Sequence, residues 1–284
     1  MVLIKDKIRI SPEEYKAIEK SEMFDGLQNR ELLKGYKAGL SIDEFKLFAK
    51  IEFDYQQMQE IRLGYQNGLT IDQIEIFAKP EYNYKQMKCI RWGLWDGLPI
   101  EWIELFAKPE FNLKQMDLIK EGFLCKLTLE EIKVYAKIEY DYDQMGQIFC
   151  GIMARLSEEN LNLYACSSYS SDQMKVIRES IMQRMPLSKI LVYAKPEFNS
   201  KQMRVIKSIV KTVPWRQEAT QEQIELIANP DFNEEQMLEI KSGFRHYLSI
   251  EQVKTYAKPE LNIVQMSSER LEQMNSNLKE VENE

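Results

Sequence analysis

The sequence predicts an all-α fold: an α-solenoid of about eight 29-residue two-helix repeats with a single-helix N-terminal cap and a helical C-terminal cap. Three observations lead to this prediction. An aromatic–Ala–Lys tripeptide returns every 29 residues, a capping box precedes the longer helix of each repeat, and Ser or Thr precedes most of the shorter helices. Because helices this short neither bury an apolar stripe alone nor stay helical alone in water, neighbouring repeats must stack.

The recurring tripeptide defines the period of the repeat. Its first residue returns every 29 residues, apart from one interval of 34 residues between Tyr193 and Ile227. The series is Phe48, Phe77, Phe106, Tyr135, Tyr164, Tyr193, Ile227 and Tyr256. The longer interval exceeds the period by five residues, which predicts an insertion of that length near 214–219.

The two ends of the chain depart from the repeat and are predicted to cap it. Residues 1–24 contain one helix of the shorter type, and residues 25–261 hold the eight repeats. Residues 262–284 begin like a longer helix and run into a polar tail, as a terminal unit with a polar outer face requires. We therefore expect a single domain over 1–284.

The longer helix of each repeat begins at a capping box joined to a hydrophobic staple. Asp, Asn or Ser is followed three residues later by Gln, and an apolar residue before the cap pairs with Met four residues after it. The caps are Asp54, Asn83, Asn112, Asp141, Ser170, Asn199, Asn233 and Asn262. Ile three residues beyond Met continues the buried stripe. A glycine follows in five repeats, for example Gly93, and predicts close approach of a neighbouring backbone.

The shorter helix opens on Ser or Thr, places one aliphatic residue in the core, and ends at the aromatic–Ala pair. Its predicted caps are Ser41, Thr70, Thr128, Ser157, Thr220 and Ser249. Proline follows in five repeats, as at Pro80, and ends the helix because the residue before proline disfavours helical geometry.

Composition narrows the classes of function. A net charge of −7 argues against broad electrostatic binding to nucleic acid or to an anionic membrane, and no apolar run is long enough to span a bilayer. The cysteines form no C-x-x-C pair, so we expect reduced, mostly buried thiols and no metal site: Cys89, Cys125, Cys150 and Cys166. The single histidine, His246, is predicted to lie at the surface near a helix end. We expect a cytoplasmic protein that is not an enzyme and has no cofactor.

The repeat resembles a pattern found in uncharacterised proteins of gut Firmicutes and their mobile elements. Residues 77–94, FAKPEYNYKQMKCIRWGL, follow its form F/Y-A-K-P-E-F-N/D-x-x-Q-M-x-x-I-R-x-G-L except that Tyr82 stands at the Phe position, and the resemblance covers nearly the whole chain. It implies an α-solenoid and carries over no activity and no functional residue. For an element-encoded chain of this kind, analogy suggests an inhibitor or adaptor that docks on a host protein such as a defence nuclease.

A row of basic residues is the first candidate binding feature. The eighth position of the longer helix holds Arg62, Arg91, Lys120, Arg178, Lys207 and Lys241. Stacked repeats would align these cations into a ladder. Two interpretations are open: ion pairs between repeats, or a groove that follows the phosphates of a single-stranded nucleic acid. The negative net charge counts against the second.

Tryptophan is the second candidate feature. Trp92, Trp95 and Trp102 fall in one repeat at positions where the other repeats carry mostly polar residues, and Trp215 falls in the insertion. Tryptophan is enriched in binding hot spots, although packing against a neighbouring repeat would also explain these side chains. The sequence therefore favours a protein-binding solenoid with a partner of unknown identity. The alternative is a nucleic-acid-binding helical repeat protein that uses the basic ladder.

Overall fold

The computed structural model describes residues 9–211 and 219–282. Within these residues the chain forms 18 helices and no strand, which confirms the all-α fold class. Most of the predicted insertion, including Trp215, lies outside the described residues. By its internal contacts the chain divides into two compact units, Met1–Met145 and Gly146–Glu284. The single domain over 1–284 stays a prediction.

The first unit alternates longer and shorter helices. Its helices are α1 (Pro12–Lys20), α2 (Gly26–Lys37), α3 (Ile42–Phe48), α4 (Tyr55–Gln66), α5 (Ile71–Phe77), α6 (Tyr84–Trp95), α7 (Ile100–Phe106), α8 (Leu113–Leu124), α9 (Leu129–Tyr135) and the beginning of α10 (Tyr142–Met153). The longer helices pack in series, α2 on α4, α4 on α6 and α6 on α8. A shorter helix such as α7 packs against the longer helices on either side of it.

The second unit continues the alternation from the remainder of α10. Its helices are α11 (Glu158–Asn162), α12 (Ser171–Met182), α13 (Leu187–Ile190), α14 (Ser200–Val210), α15 (Gln221–Ile227), α16 (Glu234–Arg245), α17 (Ile250–Tyr256) and α18 (Ile263–Glu282). Here too the longer helices pack in series, α12 on α14, α14 on α16 and α16 on α18. Helix α18 continues through most of the segment predicted as a polar tail.

The predicted helix starts are confirmed by the cap geometry. At α6 the side chain of Asn83 accepts hydrogen bonds from the backbone N–H groups of Lys85 and Gln86 at 3.0 and 3.1 Å, and Gln86 Oε1 accepts from the backbone N–H of Asn83 at 2.9 Å. Helix α7 lacks a side-chain cap because Pro99 stands in the cap position. The start of α6 is therefore fixed by residues within its own first turn.

The amide of the capping-box glutamine also joins one repeat to the next. Gln86 Nε2 donates to the backbone carbonyls of Pro109 and Phe111 at 3.0 and 2.6 Å. The glutamines that make equivalent bonds to the following repeat are Gln28, Gln57, Gln115, Gln173, Gln202 and Gln236. This bond satisfies buried carbonyls in the turn before the next longer helix, so it fixes the stacking of consecutive repeats.

The glycine that follows the core Ile of a longer helix leaves room for side chains of the following shorter helix, so the prediction of a close backbone was wrong. A Cβ on Gly93 would lie 2.8 Å from Ile103 Cδ1 and 3.2 Å from Phe106 Cζ. At Gly122 it would overlap the hydroxyl of Tyr135. The missing side chain lets the aromatic residue of the tripeptide pack closely against the longer helix.

Candidate functional site

In the first unit the basic ladder is built into the stack of longer helices. Arg62 Nε donates to Glu31 Oε2, and Arg91 Nε donates to Glu60 Oε2, each at 2.9 Å. All four side chains are buried. A buried guanidinium paired with a carboxylate is held by that partner and is closed to a ligand at the surface. These two arginines therefore fit the interpretation as ion pairs between repeats.

In the second unit two arginines likewise pair with a side chain of the preceding longer helix. Arg178 donates to Gln147 Oε1 at 3.1 and 3.3 Å, and Arg270 donates to Glu239 Oε1 at 2.5 Å. Sequence reasoning did not include Arg270 in the ladder. The signal was present, because Arg270 is the eighth residue of α18, as Arg62 is of α4.

The identity of each basic residue follows the residue that the preceding longer helix supplies. Arginine occurs where that residue is Glu or Gln. Lysine occurs at Lys120, Lys207 and Lys241, where the preceding helix supplies Cys89, Val176 and Val205. Arginine suits a buried, directional pair, whereas lysine can extend its ammonium group towards water. The lysines therefore mark positions where the preceding longer helix supplies neither a carboxylate nor an amide oxygen.

A groove opens in the second unit beside one of these lysines. It has a volume of about 330 Å³ and lies between α12 and α14, lined in part by Glu179, Arg204, Lys207 and Lys211. Burial lowers the pKa of Lys207; Glu179 opposes this shift, while Lys211 and Arg204 add to it. Lys241 of α16 donates to the hydroxyl of Ser208. This groove is basic and has no aromatic residue in its lining.

A second groove opens in the first unit, beside Lys120. It has a volume of about 360 Å³ and lies between α6 and α8. Its lining consists of Tyr84, Lys85, Lys88, Cys89, Trp92, Leu113, Asp117 and Lys120. Lys88 Nζ lies 5.6 Å from the centre of the Trp92 ring, and Lys85 Nζ lies 5.9 Å from that of Tyr84. The groove therefore combines aromatic walls with cations held at ring distance.

The structure places the three tryptophans of the repeat formed by α6 and α7 in two different environments. Trp92 and Trp95 lie on α6 with 46% and 57% of their surfaces exposed. Trp102 lies on α7 and stacks on Phe123 with ring centres 4.5 Å apart, so packing against the next repeat explains it. At the position of α8 equivalent to Trp95, Leu124 is 79% exposed. The outer face of α6 and α8 thus carries large apolar side chains that the core does not use.

The four cysteines are free, and only Cys89 is buried. The prediction that most of them are buried was therefore wrong: Cys125 is half-buried, and Cys150 and Cys166 are exposed. Burial raises the pKa of the Cys89 thiol to about 12. Hydrogen bonds with Ser168 lower the pKa of Cys166.

The described part of the chain has neither a metal-binding cluster nor a membrane-spanning helix, and its single histidine lies at the surface. Across residues 9–211 and 219–282 no group of three His, Cys, Asp or Glu side chains is arranged to hold a metal ion. No helix in these ranges has both the length and the apolar character needed to cross a bilayer. His246 is exposed at the C-terminal end of α16, where its Nδ1 lies 2.8 Å from the carbonyl oxygen of Ser242.

Comparison with known proteins adds no functional information. No protein-family model matches the sequence, and no curated protein matches it at a significant level.

Proposed function

We propose that this chain is a non-catalytic, protein-binding α-solenoid that acts in the cytoplasm. Serial packing of the longer helices and the glutamine bonds between repeats support the solenoid, because each repeat is satisfied by its neighbours. In such an array the outward face of the stacked helices is free to vary without loss of the fold. Function is therefore expected where that face departs from the common repeat.

The exposed pair Trp92 and Trp95 is the observation that carries the proposal. Both indoles lie on one helix, and about half of each surface faces solvent. Large exposed aromatic side chains are unfavourable in water and are the residue type most enriched in binding hot spots. Because the same positions in α4 hold Leu63 and Gln66, the fold does not require an indole there.

The alternative, a nucleic-acid-binding repeat protein, has less support. A phosphate backbone would need cations presented along several consecutive repeats. Arg62 and Arg91 are instead buried against Glu31 and Glu60. The net charge of −7 adds a general repulsion.

The biological setting is part of the proposal and rests on the resemblance of the repeat. In a phage or another mobile element, a chain with this surface would act as an inhibitor or adaptor that binds a host protein, for example a defence nuclease. Binding alone would be enough for such an inhibitor or adaptor, because covering a surface of the target requires no catalysis.

The proposal is tested by the W92A/W95A double variant. Partner proteins are captured from a lysate of the host with the wild-type chain, identified by mass spectrometry, purified, and titrated against both proteins. We expect the double variant to lose at least about 2 kcal/mol of binding free energy, the scale of a hot spot, with an unchanged urea midpoint. The control is Leu238→Ala, which removes another exposed apolar side chain, from α16. A fall in stability without a separate loss of affinity would contradict the proposal.

A further inference from the structure

The groove between α6 and α8 lies where the buried ion pair of the ladder is replaced. In the preceding pair of longer helices, Arg91 is held by Glu60 at 2.9 Å. At the next step Cys89 stands in the carboxylate position and Lys120 in the guanidinium position. The Cys89 thiol lies 3.5 Å from Asp117 Oδ1, and Lys120 Nζ lies 4.0 Å from the same carboxylate. The Lys120 ammonium is thus half-buried beside an exposed carboxylate of its own helix.

The walls of this groove are apolar and its rim is cationic. Tyr84 and Trp92 of α6 and Leu113 of α8 supply the apolar lining. Lys85 and Lys88 are exposed and lie over the two aromatic rings. Each ammonium group is thereby kept close to the opening of the groove.

The charge of the lining is opposite to that of the whole protein. Three lysines against one aspartate give the lining a net charge of +2, while the chain carries −7. The lining of the groove therefore attracts an acidic ligand, although the net charge of the whole chain repels it. The groove between α12 and α14 also holds three cations and one carboxylate, but it has no aromatic wall. Of these two grooves, the one between α6 and α8 alone combines cations with an aromatic surface.

We propose that the groove between α6 and α8 binds an acidic segment of a protein partner, with an aromatic or aliphatic side chain of that segment against Trp92 and Leu113 and its carboxylates at Lys88 and Lys120. This inference rests on the proposed protein-binding function and specifies the chemistry of the partner. Burial of the apolar side chain supplies affinity, and pairing with the lysines selects the sequence around it.

A short acidic peptide fits this site better than a nucleic-acid strand does. The three lysines line one groove between two packed helices, whose axes lie about 8–10 Å apart. A strand that continued to the neighbouring step would meet Arg91 and Glu60, which are buried and already paired.

The experiment titrates a fluorescein-labelled dodecapeptide of Asp and Glu with central Leu and Phe against the full chain, followed by anisotropy. We expect saturable binding that weakens with salt, and about tenfold weaker binding to Lys88→Glu. The matched control is Lys114→Glu, the same change of charge on α8. Lys114 lies over the ring of Tyr142 and does not line the groove. A peptide with Ser in place of Leu and Phe should bind about tenfold less tightly.

Several results would overturn the inference. They are absence of peptide binding to the wild-type chain, equal losses in the two lysine variants, and tighter binding of a thymidine homopolymer than of the acidic peptide. The proposed function is judged separately. If the captured partner depends on Trp92 and Trp95 but not on Lys88, the acidic segment is wrong and the protein-binding surface stands. If it depends on none of these residues, both are wrong.

Discussion

At the scale of single residues, the amide of Gln86 makes two kinds of hydrogen bond that a carboxylate could not make together. Its oxygen accepts from the N-cap backbone of Asn83, and its nitrogen donates to the carbonyls of Pro109 and Phe111. Glutamate would keep the first bond, lose the second, and place a negative charge against two carbonyl oxygens. We expect Gln86→Glu to lower the free energy of unfolding by about 1–3 kcal/mol, measured by urea denaturation.

Gln73→Glu is the matched control for this prediction. Gln73 Oε1 accepts from the backbone N–H of Thr70 at 3.0 Å, within the cap of its own short helix. Glu44 and Glu131 occupy the same position in other short helices. We expect a change within about 0.5 kcal/mol. Equal losses for the two variants would mean that the bond between repeats contributes nothing beyond the cap.

The cysteines give a second prediction at this scale. Thiolate, not thiol, reacts with alkylating agents, so a raised pKa protects a cysteine and a lowered pKa activates it. Burial raises the pKa of Cys89 to about 12, whereas Ser168 lowers that of the exposed Cys166. At pH 8 we expect iodoacetamide to label Cys166 well before Cys89, as followed by peptide mass spectrometry. Faster labelling of Cys89 would contradict the burial of its thiol beside the groove between α6 and α8.

At the scale of helices, glycine decides how closely a shorter helix approaches a longer one. A Cβ at Gly122 would overlap the Tyr135 hydroxyl, so Gly122→Ala should destabilise the chain by about 1–3 kcal/mol despite the higher helix propensity of alanine. At Gly146 in α10 a Cβ would have no atom within 4 Å, so Gly146→Ala should stabilise by about 0.5–1 kcal/mol. Thermal midpoints of the two variants should move in opposite directions.

The ion pairs between longer helices give a further prediction. Arg91→Met leaves Glu60 buried without its partner, which should cost about 3–5 kcal/mol of unfolding free energy. The double variant E60L/R91M should recover most of this loss, because two apolar side chains of similar volume replace the pair. Lys120→Met, at the same position of the next longer helix, leaves no buried carboxylate without its partner. The free energy of unfolding should therefore change little. Chemical denaturation of the three variants measures the differences.

The helices were predictable from the sequence because their signals are local. A cap and the glutamine that completes its box lie three residues apart, as Asn83 and Gln86 do. The contacts between helices were less predictable, since Arg91 and Glu60 are 31 residues apart and the ladder was recognised without its acidic half. The packing of Trp102 depends on Phe123 of the next repeat. One sequence pattern could have indicated the glutamine bond between repeats: the longer helices carry Gln at the third position, whereas several shorter ones carry Glu there.

At the scale of the whole molecule, the exposed indoles and lysines of α6 contrast with an acidic part of the chain. Residues 51–150 carry a net charge of −6, from 11 Lys and Arg against 17 Asp and Glu. Within these residues, α6 concentrates two exposed indoles and two exposed lysines on one helix. A repeat array permits this concentration because each unit depends on its neighbours through positions that the outer face does not use. The repeat that carries the proposed binding surface can therefore change while the buried positions stay the same.

An array of interchangeable repeats should tolerate removal of one full period. Deleting residues 84–112 joins Asn83 to Leu113 and restores a capping box, because Gln115 then stands three residues after the new cap. Deleting residues 171–199 does the same in the second unit. We expect both shortened chains to keep a helical circular dichroism spectrum and a cooperative transition at a lower midpoint, since stability in such arrays is roughly a sum over repeats and their interfaces.

The two deletions should differ in binding, which connects the fold to the proposed site. Removal of 84–112 takes away Trp92 and Trp95 and one wall of the groove, so the acidic peptide should no longer bind. Removal of 171–199 leaves α6 and α8 intact, so the peptide should bind as it does to the full chain. An out-of-phase deletion, 84–97, joins Asn83 to Leu98 and destroys the box, so it should unfold at a much lower urea concentration. If the in-phase and out-of-phase deletions were equally damaging, the 29-residue unit would not be the structural repeat of this protein.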